Sequence, residues 1–294
     1  MEGIVLKDIL KKLRSYEIKI RKAVNQQMHG DFRSVFKGSG IEFDDVREYQ
    51  YGDDVRAIDW NVTAKGHGTF IKTFREEKEQ TVYFILDVSA SQDIGKLGQK
   101  KIDIAKEICG VLALSAIHEM NQVGALCFTD TKEKYIKPGK GIKFGYEFIS
   151  GIYNLKPKSL KTDINKALGY ALNLVKKRSV FILISDFIDE QYQKNLQALA
   201  SKHDLVVIHL SDRREAKLPK LGIIPVFDKE ARKTIWINTS SSDFRQGITR
   251  KFTLSKNQLE DTCKKTNSSY MQIFTNEDYV NKLIRLFQIR NIRK

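Results

Sequence analysis

The sequence predicts an α/β fold in which a doubly wound, mostly parallel sheet carries helices on both faces, and two observations point to it. From Thr81 onward, short β-branched and aromatic runs alternate with longer helical ones, the pattern of strand–helix–strand crossovers. Three of the strand candidates are apolar on consecutive residues rather than on alternate ones, as strands covered on both faces must be. In such Rossmann-like sheets a ligand binds outside the C-terminal strand ends. Chemistry is expected at that edge.

Taken in order, Leu6, Ile9, Leu10, Leu13, Ile20 and Val24 recur at near-helical spacing with Lys and Arg between them. Residues from about Ile4 to Asn25 should therefore form an amphipathic helix, whose apolar face must pack on something. The following stretch, GDFRSVFKGSGIEFDDVREYQYGDDVRAIDWNVTAKGHGTFIKTFREE, is rich in Gly, Asp and aromatics and has no clear period. Loops and short strands folded against the main domain are expected there. The strands of the sheet are read at Val82 to Leu86, Val123 to Phe128, Val180 to Ile184 and Leu205 to Leu210, with a weaker one, Lys134 to Lys137, beside the second. Helices are read at Lys101 to Met120, Tyr146 to Tyr153, Asp163 to Lys177 and Gln191 to Ser201. Beyond Asp212, a segment with Pro219 and Pro225 leads to Ile223 to Asp228 and Thr234 to Asn238, a late β-hairpin. Ser240 or Ser241 caps a helix holding Phe244, Ile248 and Phe252, and Lys256 to Lys265 reads as one more helix. The chain accordingly divides into residues 1–78, the N-terminal helix and the aperiodic segment, and residues 79–294, the α/β domain with its late hairpin and C-terminal helices.

Composition narrows the class. With 294 residues, 41% of them hydrophobic, a substantial core can form. No run approaches the roughly 18 apolar residues of a membrane span, and the start, MEGIVLKDILKKLRSYEIKIRK, carries too much charge for a signal peptide. A soluble, cytoplasmic protein is expected. Cys109, Cys127 and Cys263 form no CxxC pair, and two lie in apolar runs, so neither a disulfide framework nor a zinc site is indicated. The net charge is +15, and residues 213–294 hold eighteen Lys or Arg against eight Asp or Glu. The pair Lys264 and Lys265 and the tail FQIRNIRK could meet an acidic partner. No aromatic-interleaved basic motif, zinc finger or RNP-like segment accompanies them, so a solvated basic face is expected rather than a nucleic-acid site.

Immediately after the first sheet strand stands Asp87-Val-Ser89-Ala-Ser91. In a loop leaving a strand end, alternate residues can turn a carboxylate and two hydroxyls toward one centre, which suits a hard cation that takes oxygen ligands and keeps some water. Alone, such a pentapeptide caps helices more often than it binds metal. Two further oxygen donors fall at the same predicted edge: Thr162, before the Asp163 helix, and Asp186, after the strand VFILI. Each could be a cap by itself. Together, the five can form a site, provided Thr162 and Asp186 lie beside the Asp87 turn and no lysine fills the ion's place.

At this point the sequence resembles a known family. The strand, the Asp-x-Ser-x-Ser run, the Thr and the late Asp look like the metal-ion-dependent adhesion site of von Willebrand factor type A domains. Upstream, GSGIEFDDVREYQYGDDVRAIDWNVTAK is similar to the signature of the bacterial family long named domain of unknown function fifty-eight, in which Glu-Phe, Arg-x-Tyr, Gly-Asp-Asp and Arg-x-Ile-Asp-Trp precede the A-like domain. The resemblance runs from about Gly38 to Asp228. It departs at Gln92, where relatives often carry Met, a position outside the ligand set. The resemblance implies that Asp87, Ser89, Ser91, Thr162 and Asp186 hold a metal ion, Mg²⁺ with Mn²⁺ or Ca²⁺ as alternatives, some of them through water. It also implies a protein partner that supplies an Asp or Glu to the ion, and an adaptor role beside a MoxR-type AAA ATPase in a chaperone-like or complex-assembly system. Within the signature, Arg47, Asp53, Asp54, Arg56, Asp59 and Trp60 are expected to form a buried ion-pair and aromatic cluster that fixes the N-terminal region.

Two rival classes start from the same residues. A metal-dependent phosphohydrolase could use Asp87 as its nucleophile, but Ser89 stands where a second carboxylate would act as acid and base. His118-Glu119 lacks the second His of a zinc protease, because Gln122 occupies that place, and IGKLGQKK lacks phosphate-loop spacing. His209 lies in an apolar strand and reads as a satisfied core residue, while His29 and His67 sit in loops without identifiable partners. A binding or scaffolding protein, not an enzyme, is the expectation; nucleic-acid binding through the basic C-terminal part is the other alternative.

Overall fold

The computed structural model describes residues 2–27, 41–66, 68–76, 80–96, 98–216, 220–228 and 233–292. His29, His67, Pro219 and the opening of the signature at residues 38–40 lie outside the described residues. In chain order the elements are α1 (Glu2–Gln27), β1 (Ile41–Glu48), α2 (Trp60–Thr63), β2 (Phe70–Glu76), β3 (Thr81–Asp87), the short pair β4 (Gly95–Lys96) and β5 (Gln99–Lys100), α3 (Lys101–His118), β6 (Gln122–Phe128) and β7 (Lys132–Gly139). Then follow α4 (Ile142–Tyr153), α5 (Ile164–Leu174), β8 (Val180–Ser185), α6 (Gln193–Lys202), β9 (Asp204–Ser211), α7 (Arg213–Ala216), β10 (Ile223–Asp228), β11 (Lys233–Asn238), α8 (Ser242–Lys265), β12 (Ser269–Phe274) and α9 (Tyr279–Ile292). The chain forms two compact units, one of Met1–Phe36 with Thr81–Lys294, the other of Lys37–Gln80.

The larger unit is built on a six-stranded sheet of order β12-β9-β8-β3-β6-β7. Every neighbouring pair is parallel except β6 and β7. Alternate residues of β3 enter two separate cores, as the two-residue period of a strand requires. Val82, Phe84 and Leu86 join residues of α1, α3, α4 and α9 on one face. Tyr83 and Ile85 join residues of α5, α6 and α8 on the other. This double coverage is why the central strand sequences carry consecutive apolar residues, and it gives the α/β architecture expected from sequence.

Helix α1 belongs to the first core, where Leu13 and Ile20 are fully buried. It meets α3 at Gly110, where an added Cβ would stand 2.7 Å from Leu13 Cδ1. The absent side chain lets the two helices meet there. At the other end of the larger unit, α8 runs unbroken through 24 residues with Ser241 as its N-cap. Lys256 to Lys265 is therefore not a separate helix: nothing between Phe252 and Lys256 can end one, and the apolar spacing continues through Leu259 and Cys263. The edge strand β12 was not anticipated, because SYMQIF is short and only Met271 and Ile273 are buried in it. All three cysteines are free and buried.

The smaller unit consists of β1 paired antiparallel with β2, a register shift between Phe43 and Asp45, and the α2 turn. Asp59 caps α2 by accepting from the amides of Asn61 and Val62. Arg47 donates two hydrogen bonds to Asp53, at 2.8 and 2.7 Å, and that guanidinium holds the Asp53 carboxyl below its usual range. The expected buried cluster is corrected in part: Asp59 is buried and Arg47 pairs with the half-buried Asp53, but Arg47, Asp54 and Arg56 are exposed, and Trp60 is 68% exposed. Asp53 and Asp54 serve turns and caps at the surface, with solvent supplying what burial would have denied.

Candidate functional site

The parallel register brings the C-terminal ends of β3 and β8 side by side, with Leu86 opposite Ile184. Asp87 is therefore adjacent to the Ser185-Asp186 exit of β8. The Asp87 carboxylate is fully buried and each oxygen accepts two hydrogen bonds. Its Oδ1 accepts from the Ser89 amide at 3.0 Å and from Ser89 Oγ at 2.7 Å. Its Oδ2 accepts from Ser185 Oγ at 2.7 Å and from Gln92 Nε2 at 3.2 Å. Ser89 Oγ and Ser91 Oγ lie 3.0 Å apart. The turn is tied to its surroundings by the Val88 amide bonding Phe128 O and the Ala90 amide bonding Leu160 O.

Thr162 is half-buried on the neighbouring segment. That segment is held to the same rim on both sides of it, through Leu160 O and through the Asp163 amide, which bonds Thr129 O. Asp163 also caps α5 by accepting from Lys166 N, while Asp189 accepts from the Ile164 amide. Asp87, Ser89, Ser91 and Asp186 thus form one cluster, with Thr162 on the segment beside it.

Asp186 has a partner that sequence reasoning missed. Lys101, the first residue of α3, is completely buried, and its Nζ donates to Asp186 Oδ2 at 2.7 Å and to Glu215 Oε1. Asp186 Oδ1 accepts from the Ile188 amide. The ammonium is bonded to Asp186 and Glu215, whereas Asp87 takes its donors from Ser89, Gln92 and Ser185. Burial and the negative charge of Asp186 push the Asp87 carboxyl up to about 7, and burial likewise raises Glu215. Gln92, expected to stand outside the set, is a direct support of Asp87. One signal could have exposed Lys101: a lysine in the first turn of a helix opposes the helix dipole, and such local conflicts mark functional positions.

The residues fit a hard, partly hydrated cation. The Ser89 and Ser91 hydroxyls are hydrogen-bonded at 3.0 Å, a separation that also suits neighbouring corners of an octahedron with metal–oxygen distances of roughly 2.1 Å. Asp186 and Glu215 share the Lys101 ammonium, while the donors that Asp87 accepts from, Ser89, Gln92 and Ser185, are all neutral. Among the described residues no group of three or more His, Cys, Asp or Glu side chains is arranged to hold a metal, so hydroxyls and water would dominate the shell. Beside Asp186 a cleft of about 560 Å³ opens, lined among others by Phe187, Ile188, Asp189, Glu190 and Phe252. His209 borders it with both ring nitrogens engaged, Nδ1 with Tyr270 OH at 3.0 Å and Nε2 with Ser211 Oγ at 3.2 Å. It is the satisfied core residue that its strand context predicts.

The family described as protein of unknown function DUF58 matches residues 45–258. The chain belongs to this family. Over 281 residues this DUF58 protein is 23% identical to the uncharacterized protein Rv1480 of Mycobacterium tuberculosis (strain ATCC 25618 / H37Rv), covering 95% of this chain and 88% of that one. It is 22% identical over 135 residues to the uncharacterized protein MAV169 of Mycobacterium avium, across 46% of this chain and 79% of the other. Among solved structures, the DUF58 chain is similar to an aerotolerance-related membrane protein from Bacteroides fragilis, at TM-score 0.46, 15% identity and coverage of 73% and 100%. It is similar to the conserved hypothetical protein BatB from Bacteroides thetaiotaomicron, at TM-score 0.42, 14% identity and coverage of 72% and 98%. It is also similar to the SpRpn10 VWA domain, at TM-score 0.38, 12% identity and coverage of 70% and 94%. No described helix of the DUF58 protein is long and apolar enough to cross a membrane.

Proposed function

We propose that this DUF58 protein is a non-enzymatic, cytoplasmic scaffold that recognises a protein partner through a divalent cation, Mg²⁺ with Mn²⁺ or Ca²⁺ as alternatives, at the β3–β8 edge. Ser89, Ser91 and Thr162 would offer hydroxyls to the ion, and Asp87 and Asp186 would offset its charge. When bound, such an ion supplies an exchangeable position that strongly favours an incoming carboxylate. The observation that carries this reading is the convergence of the two serine hydroxyls, 3.0 Å apart, at the turn of a buried carboxylate. Asp87 fixes the turn by accepting from Ser89 at both amide and hydroxyl, so the hydroxyls are held in place before any ligand arrives. Lys101 and Gln92 keep the remaining carboxylate oxygens oriented. The cleft beside Asp186 gives a partner segment room to approach.

The partner is a protein presenting an Asp or Glu, in keeping with an adaptor role beside a MoxR-type AAA ATPase. A pull-down from the native host, with and without EDTA, tests this. Wild type should retain a partner that EDTA releases, and Asp87→Ala should lose at least tenfold of that retention, the scale of one strong charge-assisted contact. Retention by Asp87→Ala equal to that of wild type without EDTA, or wild-type retention that EDTA leaves unchanged, would overturn the proposal, and turnover of a generic phosphate ester would overturn its non-enzymatic part.

A further inference from the structure

We propose that Lys101 is a specificity-determining residue of the Asp87 site, a fixed internal cation that shares Asp186 with the bound ion and limits how tightly, and at which ionic charge, that ion is held. This rests on the cation-bridged reading above.

The placement of Lys101 is unusual on three counts. It is the first residue of α3, with Lys100 as N-cap, where the helix dipole disfavours a cation. Its side chain has no exposure, so its charge is stripped of water, a state that persists only when paired. Both partners come from distant elements: Asp186 from the end of β8, Glu215 from α7. A lysine needed only for packing would be better replaced by an apolar residue at such a site.

Asp186 links this pair to the Asp87 turn. It bonds Lys101 through Oδ2, and it directly follows Ser185, whose hydroxyl donates to Asp87 Oδ2 at 2.7 Å across the β3–β8 register. An ion held by Ser89 and Ser91 must therefore share Asp186 with an ammonium that cannot leave. Like charges in a poorly screened interior repel in proportion to the product of their charges. Removing Lys101 should therefore tighten the site for any cation, and more for a trivalent than for a divalent one. Removing Glu215 should do the reverse.

The test is Mn²⁺ binding to the full chain, read from the electron paramagnetic resonance signal of free Mn²⁺, with Tb³⁺ as the trivalent comparison. Lys101→Met should bind Mn²⁺ at least about tenfold more tightly than wild type, and its preference for Tb³⁺ over Mn²⁺ should rise. Glu215→Gln should bind Mn²⁺ roughly threefold or more weakly, and Lys101→Met/Glu215→Gln should return to within about threefold of wild type. Structural damage alone would weaken all three variants, so the opposite signs are the signature. Unchanged or weaker Mn²⁺ binding by a folded Lys101→Met overturns the proposal. Should that variant fail to fold, unchanged affinity in Glu215→Gln overturns it instead. Adding Asp87→Ala separates the two readings. Binding that this change abolishes in wild type, without tightening in Lys101→Met, sinks only the role of Lys101, whereas no Mn²⁺ binding by wild type or by any variant sinks the cation site with it.

Discussion

His209 is ringed by Phe187, Phe252 and Tyr270 and gives both nitrogens to neutral hydroxyls, so protonation inside the fold is costly. Burial pulls its pKa down from 6.5 to about 4. The unfolded chain therefore takes up a proton as pH falls through 6.5, while the folded chain does so only near 4. Stability that is complete above 6.5 must be lost across that window, by up to about 3 kcal/mol. Melting curves between pH 7.5 and 4 should show the decline, and His209→Gln should flatten it; an unaltered slope would refute the assignment. At this scale the sequence was informative where chemistry is contiguous. Asp87, Ser89 and Ser91 are two residues apart, and Asp186 follows a recognisable strand. Lys101, Gln92 and Glu215 were not legible as one group with them, since the Lys101 to Glu215 contact spans 114 residues and no local pattern encodes it.

Elements were legible in proportion to their burial. Strands β3, β6 and β8 carry unbroken apolar runs, and β9 one interrupted only at His209, because both faces are covered, and β10 with β11 was marked by its paired β-rich runs. Strand β12 escaped because an edge position relaxes the demand for apolar residues, and the join within α8 was misplaced for want of any stop signal. The same contrast governs substitutions. Leu13 of α1 is fully enclosed against Gly110, so Leu13→Ala should cost about 2–5 kcal/mol in chemical denaturation. On the β10–β11 hairpin, Ile223, Phe227 and Trp236 are 66%, 59% and 69% exposed. Trp236→Ser should then change stability by no more than about 0.5 kcal/mol, and a larger loss would mean that the hairpin is held more firmly than its exposure indicates.

For the whole molecule, charge and topology act on different properties. The net charge of +15, of which the eighteen Lys or Arg and eight Asp or Glu after Asp212 supply the larger share, sets how the protein meets polyanions without deciding its fold. Retention on DNA through that surface should collapse between about 50 and 200 mM salt and ignore EDTA. Filter binding that resists salt would instead revive a dedicated nucleic-acid role.

Topology has a consequence during synthesis. Helix α1 packs on α3 and α9, Tyr16 meets Tyr279 edge-on at 5.9 Å, and Glu107 accepts from both Lys12 and Tyr279 OH. An amphipathic segment made early on the ribosome must therefore wait, its greasy stripe uncovered, until the whole sheet and the late α9 have emerged. The first core is therefore closed only once α9 has been made, so a pause in elongation before Tyr279 should leave the α1 stripe open to water.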